Sequence, residues 1–156
     1  MSAVQPLMTT RRVAPVGVAL MLGSACGSEA DSLAEFGPAD VSGSPLAVVD
    51  SPPLDYGLQE AYGPGVLTVT GDCLFLETAD GGVTRLVWPS GSTEWSGESP
   101  AVRFTVVGES PAVVRVGDVV EVAGGEATPS SSWLHQPSDC PEGSWAFVTS
   151  VRERSS

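Results

Sequence analysis

The sequence predicts an all-β domain, because short β-rich runs separated by turn residues fill the chain from residue 65 onward. The apolar residues Val102, Phe104 and Val106 alternate with Arg103, Thr105 and Val107, which is the period-two pattern of a half-buried strand. None of the runs has a sustained helical period. Roughly six short strands with turn signals between them favour a small barrel or a sandwich.

The predicted strands follow one another with identifiable breaks. The segment 79–82, Ala-Asp-Gly-Gly, supplies the turn of a hairpin, and Pro89 ends the strand that follows it. The segments 90–100 and 124–143 read as polar loops, and the second of these carries Cys140. The β-rich runs are 66–70, 73–78, 83–88, 102–107, 113–116 leading through Gly117-Asp118 into 119–123, and 145–151.

The first 25 residues have the features of a secretory signal. Arg11 and Arg12 precede an apolar run at 13–22, and the small residues 23–25 follow it. The run is too short for a membrane span. A buried hydrophobic helix is the alternative, and Pro15 argues against it by interrupting the segment. We therefore expect export and assign residues 1–25 to a signal peptide.

Cys26 directly follows the small residues. The sequence Leu22-Gly23-Ser24-Ala25-Cys26 resembles the bacterial lipobox, although the Leu lies one position further from the Cys than in that motif. The segment 10–13, Thr-Arg-Arg-Val, resembles a twin-arginine export signal. The lipobox resemblance implies lipidation of Cys26, so that the protein would be held at the membrane through an acyl anchor.

Residues 26–63 have the composition of a flexible tether. They are rich in Ser, Pro, Gly and acidic residues and contain few aromatic residues, which is typical of a disordered segment. The apolar run 46–49 is a candidate for an added edge strand. The expected organisation is therefore a signal peptide (1–25), a lipidated Cys with a tether (26–63), and a β-domain (64–156).

The charge excludes several classes of partner. The chain has 19 acidic residues, seven basic residues that are all Arg, and a net charge of −12. Such a surface repels nucleic acid and anionic lipid headgroups, so we expect contact with the membrane to come only through the anchor. All three Met residues lie in the signal segment, and the chain has one His. This inventory predicts neither a metal site nor a cofactor.

Cys73 and Cys140 remain when Cys26 is assigned to lipid. Two thiols of an exported chain usually pair, so we expect a disulfide between them. A reactive thiol is the alternative, but Asp72 and Asp139 each precede a cysteine and would raise its pKa.

Two sequence blocks carry resemblances. The segment 113–122, with Gly117-Asp118 between two Val-rich runs, resembles the strand entry of small Greek-key barrels, including OB-folds. The segments 71–76, 85–92 and 116–118 together are similar to uncharacterised secreted proteins of actinobacteria. These motifs are structural, and the resemblance implies a small OB-like barrel without implying an activity.

The tryptophans are the most informative side chains for binding. Trp95 and Trp133 fall in the predicted polar loops, where they could stack on sugar rings of the cell envelope or simply cover the core. Trp88 and Trp145 fall in predicted strands and are expected in the core. We therefore take Trp95 and Trp133 as candidate ligand-binding residues.

The sequence favours a non-enzymatic envelope lipoprotein. In this interpretation a monomeric, disulfide-closed β-domain outside the membrane binds or spaces a glycan or protein of the envelope. A secreted hydrolase is the alternative, in which His135 would act with Asp139 and one of Ser130, Ser131 or Ser132. The chain lacks a nucleophile elbow that would support it.

Overall fold

A computed structural model of the protein describes residues 35–39, 43–51 and 59–154, so the predicted signal peptide and Cys26 lie outside the described residues. The described part is almost entirely β-structure, with one 3₁₀ turn, η1 (Ser90–Ser92). It contains no helix that is long and apolar enough to cross a membrane. Its strands are β1 (Gly37–Pro38), β2 (Ala47–Val49), β3 (Glu60–Thr70), β4 (Cys73–Thr78), β5 (Val83–Pro89), β6 (Thr93–Ser96), β7 (Ala101–Phe104), β8 (Ala112–Arg115), β9 (Val119–Ala127) and β10 (Ser144–Glu153). The all-β prediction is confirmed.

Five of these strands close into a barrel. Antiparallel pairing joins β3 to β4, β4 to β5, β3 to β9, and β9 to β10. A parallel pairing between β5 and β10 closes the ring, with Arg85 opposite Trp145 and Val87 opposite Phe147. The order around the ring is therefore β3-β4-β5-β10-β9. This is the strand order of an OB-like Greek-key barrel.

The barrel interior is apolar because alternate side chains of each strand point inward. In β4, Leu74 and Leu76 are buried in the main core, whereas the intervening Phe75 lies on the outer face. The other barrel strands contribute to the same core in the same way. The buried barrel residues of this core are Leu67, Leu74, Leu76, Leu86, Trp88, Val120, Val122, Val148 and Val151.

A smaller sheet packs against the barrel core. It has the order β1-β6-β7-β8, and three of its four strands come from the chain between β5 and β9. Its inner face carries Val102, Phe104 and Val114. Phe104 meets Trp88 edge-to-face, with 5.7 Å between the ring centroids, so the small sheet and the barrel share one continuous core.

The strand β2 is the strand that the apolar run 46–49 predicts inside the segment assigned to the tether. Residues 44–49 are all buried, although they belong to the segment 26–63 that was predicted to be a flexible tether. β2 pairs in parallel with the end of β5, and Val48 also forms a bridge with His135. β1 and the first residues of β3 also precede residue 64. The folded body therefore begins upstream of the predicted boundary, because apolar residues of the presumed tether complete the core.

The structure also has more strands than the roughly six that the sequence predicts. Residues 93–96 form β6, inside what was predicted to be a polar loop. β3 begins at Glu60, not at 66, and continues through a register shift against β9 between Tyr62 and Gly65. The shift coincides with Gly63, whose φ of +99° is a conformation that glycine adopts readily. A Gly-Pro pair that looks like a break in sequence is therefore a bulge within one strand.

We predict that Val48→Ala lowers the free energy of unfolding by about 2 kcal/mol, because it removes buried methyl groups and leaves a cavity in the core. Val48 is fully buried in the main core. Val107→Ala is the matched control, since Val107 is 97% exposed, and it should change stability by less than about 0.5 kcal/mol. Urea denaturation measures both. Equal effects would mean that β2 is not part of the folded body.

Candidate functional site

The outer face of β4, β5 and β10 carries an aromatic row with one cation in it. Cross-strand pairing places Phe75 opposite Arg85, and Arg85 opposite Trp145. The guanidinium of Arg85 lies over the Trp145 ring, 4.4 Å from its centroid. Stacking of this kind is favourable because the negative face of the ring attracts the cation. The outer wall of the barrel therefore carries a cation–aromatic pair where β5 meets β10.

Arg85 is held in place by the backbone as well as by stacking. Its Nη2 donates a hydrogen bond to the carbonyl of Gly143, at the end of the loop 128–143. Burial lowers the pKa of the Arg85 guanidinium from its ordinary value, and the nearby carboxylate of Glu142 opposes this shift. The cation therefore links the outer face of the barrel to the loop that covers it.

The loop 128–143 covers the outer face with a second apolar cluster. Trp133 meets Trp145 edge-to-face at 5.1 Å between centroids and meets Phe147 at 6.4 Å. The buried members of this cluster are Ala47, Val49, Val87, Ala127, Trp145 and Phe147, and Trp133 and Cys140 pack against them. The outer face of β4, β5 and β10 is thus covered here by the chain itself.

The predicted disulfide between Cys73 and Cys140 is present, with a Cα–Cα distance of 5.1 Å. It joins the first residue of β4 to the loop 128–143. Cys73 is fully buried on the outer side of the barrel, and Cys140 packs against the second apolar cluster. The bridge therefore fixes the covering loop to the barrel wall.

Asp72 makes a second connection between the same two segments. Its carboxylate accepts hydrogen bonds from the backbone amide of Asp139 at 2.9 Å and from the amide and hydroxyl of Ser138, each at 3.2 Å. These donors, with the Asp139 amide as the largest contributor, hold the pKa of Asp72 below its ordinary value. The sequence suggested Asp72 only as a neighbour of Cys73, and its role in holding the loop was missed.

The two candidate binding tryptophans have different surroundings. Trp133 lies in a loop, as predicted, and packs over Trp145 and Phe147, in a position to cover the second apolar cluster. Trp95 was predicted to lie in a loop but belongs to β6, where it pairs with Val102 and packs against the main core. Both are partly buried. The structure does not bring them together, since they belong to different apolar clusters.

The residues of the alternative hydrolase are not arranged as a triad. His135 Nε2 is buried with no hydrogen-bond partner in the described part of the chain. The hydroxyls of Ser130 and Ser132 bond to each other at 2.9 Å, and the Asp139 amide bonds to Asp72. His135 instead contributes its backbone, which pairs with Val48. Residues 35–39, 43–51 and 59–154 contain no cluster of three or more potential metal ligands.

A polar cavity lies elsewhere, beside the small sheet. Its volume is about 290 Å³, and it is open to solvent on one side. The lining comes from η1 and the start of β6, together with one residue of β1 and one residue just after β7. The lining residues are Pro38, Ser90, Gly91, Ser92, Thr93, Glu94 and Thr105. Sequence reasoning missed this cavity because its hydroxyl residues look like an ordinary loop.

Comparisons with known proteins add no identity to this geometry. No family model matches the chain, and neither a curated protein sequence nor a solved structure shows significant similarity to it.

We predict that replacing both Cys73 and Cys140 by Ala lowers the free energy of unfolding by about 4 kcal/mol. The bridge spans 67 residues, and closing a loop of that length restricts the unfolded chain strongly. Urea denaturation of the variant and of the oxidised protein gives the difference. An unchanged midpoint would show that the other contacts of the loop 128–143 make the bridge dispensable.

We also predict that the Asp72 contact stabilises the loop at neutral pH and fails in acid. A carboxyl whose pKa is lowered in the folded state contributes stability above its ordinary pKa of 3.8, and this contribution is lost as pH falls through the lower folded value. Asp72→Asn should therefore speed amide hydrogen exchange at Ser138 and Asp139 at pH 7, and the difference from the wild type should shrink on acidification. Asp50→Asn, at an exposed position, is the control. Equal exchange in all three proteins would contradict the role given to Asp72.

Proposed function

We propose that this protein is an exported, lipid-anchored and non-enzymatic β-barrel module that binds a component of the cell envelope at the outer face of the membrane. The observation that carries the proposal is the Cys73–Cys140 disulfide inside the folded body. Structural disulfides form and persist in oxidising compartments and are rare in the cytosol. The bridge therefore supports the export that the first 25 residues predict.

The position of Cys26 supports anchoring close to the membrane. β1 begins at Gly37, so only a short segment separates the proposed lipid attachment site from the first strand. A barrel attached in this way would lie near the headgroups. The full chain has a net charge of −12, and loss of Arg11 and Arg12 with the signal peptide would make it −12 − 2 = −14. This charge disfavours direct contact with anionic lipid, so the barrel would be oriented by its anchor and by electrostatic repulsion.

The arrangement of the polar side chains favours binding over catalysis. The His135 backbone bonds to Val48, and its Nε2 forms no hydrogen bond with a nucleophile or a carboxylate in the described part of the chain. In contrast, the open cavity beside β6 is lined by several hydroxyls and one carboxylate. A concave site with a few placed polar groups can bind a small molecule, so this cavity supports a binding role.

We predict that the mature protein is found in the membrane fraction with lipid on Cys26 and no free thiol. Intact mass of the membrane fraction without reductant measures the lipid and the disulfide in one experiment. Cys26→Ser should release the protein from the membrane while leaving the Cys73–Cys140 bridge intact. A cytoplasmic protein that retains Met1 and three reduced cysteines would overturn the proposal.

A further inference from the structure

We propose that the cavity beside β6 binds one ring of a neutral saccharide. This inference rests on the proposed function for its setting outside the cell, but the site itself is argued from the cavity. Four hydroxyl-bearing residues, Ser90, Ser92, Thr93 and Thr105, line one opening of about 290 Å³. Ligand sites for small molecules are usually about 300–1,000 Å³, so the cavity lies at the small end of this range and has room for a single ring.

The hydroxyls in this cavity are available to a ligand. None of these four side chains makes a hydrogen bond to another described residue. The backbone around them is held by a hydrogen bond from the Thr105 amide to the Ser92 carbonyl at 2.9 Å. Thr93 is only 2% exposed, and its Oγ1 is buried without a partner. Buried polar groups are nearly always paired, and rotation about χ1 can turn this hydroxyl toward a ligand in the cavity that Thr93 lines.

The charges around the cavity favour a neutral ligand. Glu94 provides one carboxylate, and its partner Arg103 holds it with a salt bridge at 3.0 Å. Arg103 is also stacked on the Phe36 ring, 4.1 Å from its centroid, so this cation is already engaged. An anionic ligand would meet Glu94 and a chain of net charge −12, and the described residues that line the cavity include no cation. A polyol can donate hydroxyl hydrogens to Glu94 and exchange hydrogen bonds with the four side chains.

One wall of the cavity is suited to the apolar face of a sugar ring. Pro38 is exposed at the rim, where β1 pairs with β6 and places Pro38 opposite Glu94. A proline ring beside a carboxylate offers an apolar surface and a hydrogen-bond acceptor to the same ligand. The backbone of the cavity is held between β1, β6 and β7, so the site is largely formed before the ligand arrives.

The test is a titration of the full chain, purified with its disulfide intact, followed by amide chemical shifts. The probes are the methyl glycosides of glucose, galactose, mannose and N-acetylglucosamine, with inorganic sulfate as the anionic comparison. We expect at least one glycoside to give saturable shifts centred on residues 90–94 and 105, and sulfate to give none there.

Two variants test the site, and a third controls for the loss of hydroxyls elsewhere. A Cβ at Gly91 meets nothing within 4 Å, so Gly91→Trp places a bulky side chain at the lining of the cavity without a backbone clash. The double variant Ser90→Ala with Thr105→Val removes two hydroxyls at similar side-chain volume. Both should weaken binding about tenfold or more, since two hydrogen bonds are lost or blocked. Ser99→Ala with Thr128→Val removes two exposed hydroxyls outside the cavity and should leave binding unchanged.

The outcomes separate this inference from the proposed function. Three outcomes would overturn the saccharide site: no saturable shifts with any of the four glycosides, binding that survives Gly91→Trp, or shifts centred on Trp133. None of them would affect the proposed location of the protein. Saccharide binding by a protein that fractionates with the cytoplasm would leave the site standing and remove the envelope role. Stronger shifts at residues 90–94 with sulfate would contradict the neutral class of ligand.

Discussion

The parallel pairing of β5 with β10 is the constraint on which the rest of the structure depends. Parallel neighbours cannot be joined by a tight turn and need a long crossover connection. The chain must therefore leave the barrel after Pro89, build the small sheet and β9, and return through the loop 128–143 before Ser144 can pair with Thr84. Closing the ring also pairs the backbone groups of β5 with those of β10, which would otherwise be exposed at the edges of the sheet.

A closed ring separates an inside from an outside, and this explains why the molecule has two apolar clusters. Leu86 points into the main core and Val87, its neighbour in β5, points into the second cluster. The same alternation in β2 places Val48 in the first cluster and Val49 in the second. β2 is therefore a strand with two buried faces, which reads in sequence as a short continuous apolar run and not as an alternating one.

The sequence predicts the features that depend on the local residue pattern and on the number of cysteines. The β-rich runs after residue 65 become strands of the barrel and of the small sheet because their turns and alternation agree with the fold. The bridge between Cys73 and Cys140 follows the pairing that the cysteine count predicts. β6 was missed because Thr93, Glu94 and Ser96 are polar, and the strand exists through its pairing with β7.

The contacts that could not be predicted join residues far apart in sequence. The Asp72 carboxylate finds its donors at Ser138 and Asp139, and Arg85 finds the Gly143 carbonyl. Neither pair has a spacing or a motif that marks it. A Gly-Ser loop such as 90–92 likewise gives no sign of a cavity, because the cavity arises only when β1 and β7 are brought beside it.

The same geometry decides where a ligand can reach this barrel. The outer face of β4, β5 and β10 holds the aromatic residues that would attract a ligand, but the loop 128–143 covers it and is fixed there by the Cys73–Cys140 bridge and by Asp72. Opening that face would expose the second apolar cluster to water, which is unfavourable in proportion to the apolar area uncovered. The cavity beside β6 requires no such opening, since it is already open to solvent. The saccharide site proposed above therefore lies at the small sheet that the crossover builds, and the aromatic face of the barrel holds the covering loop.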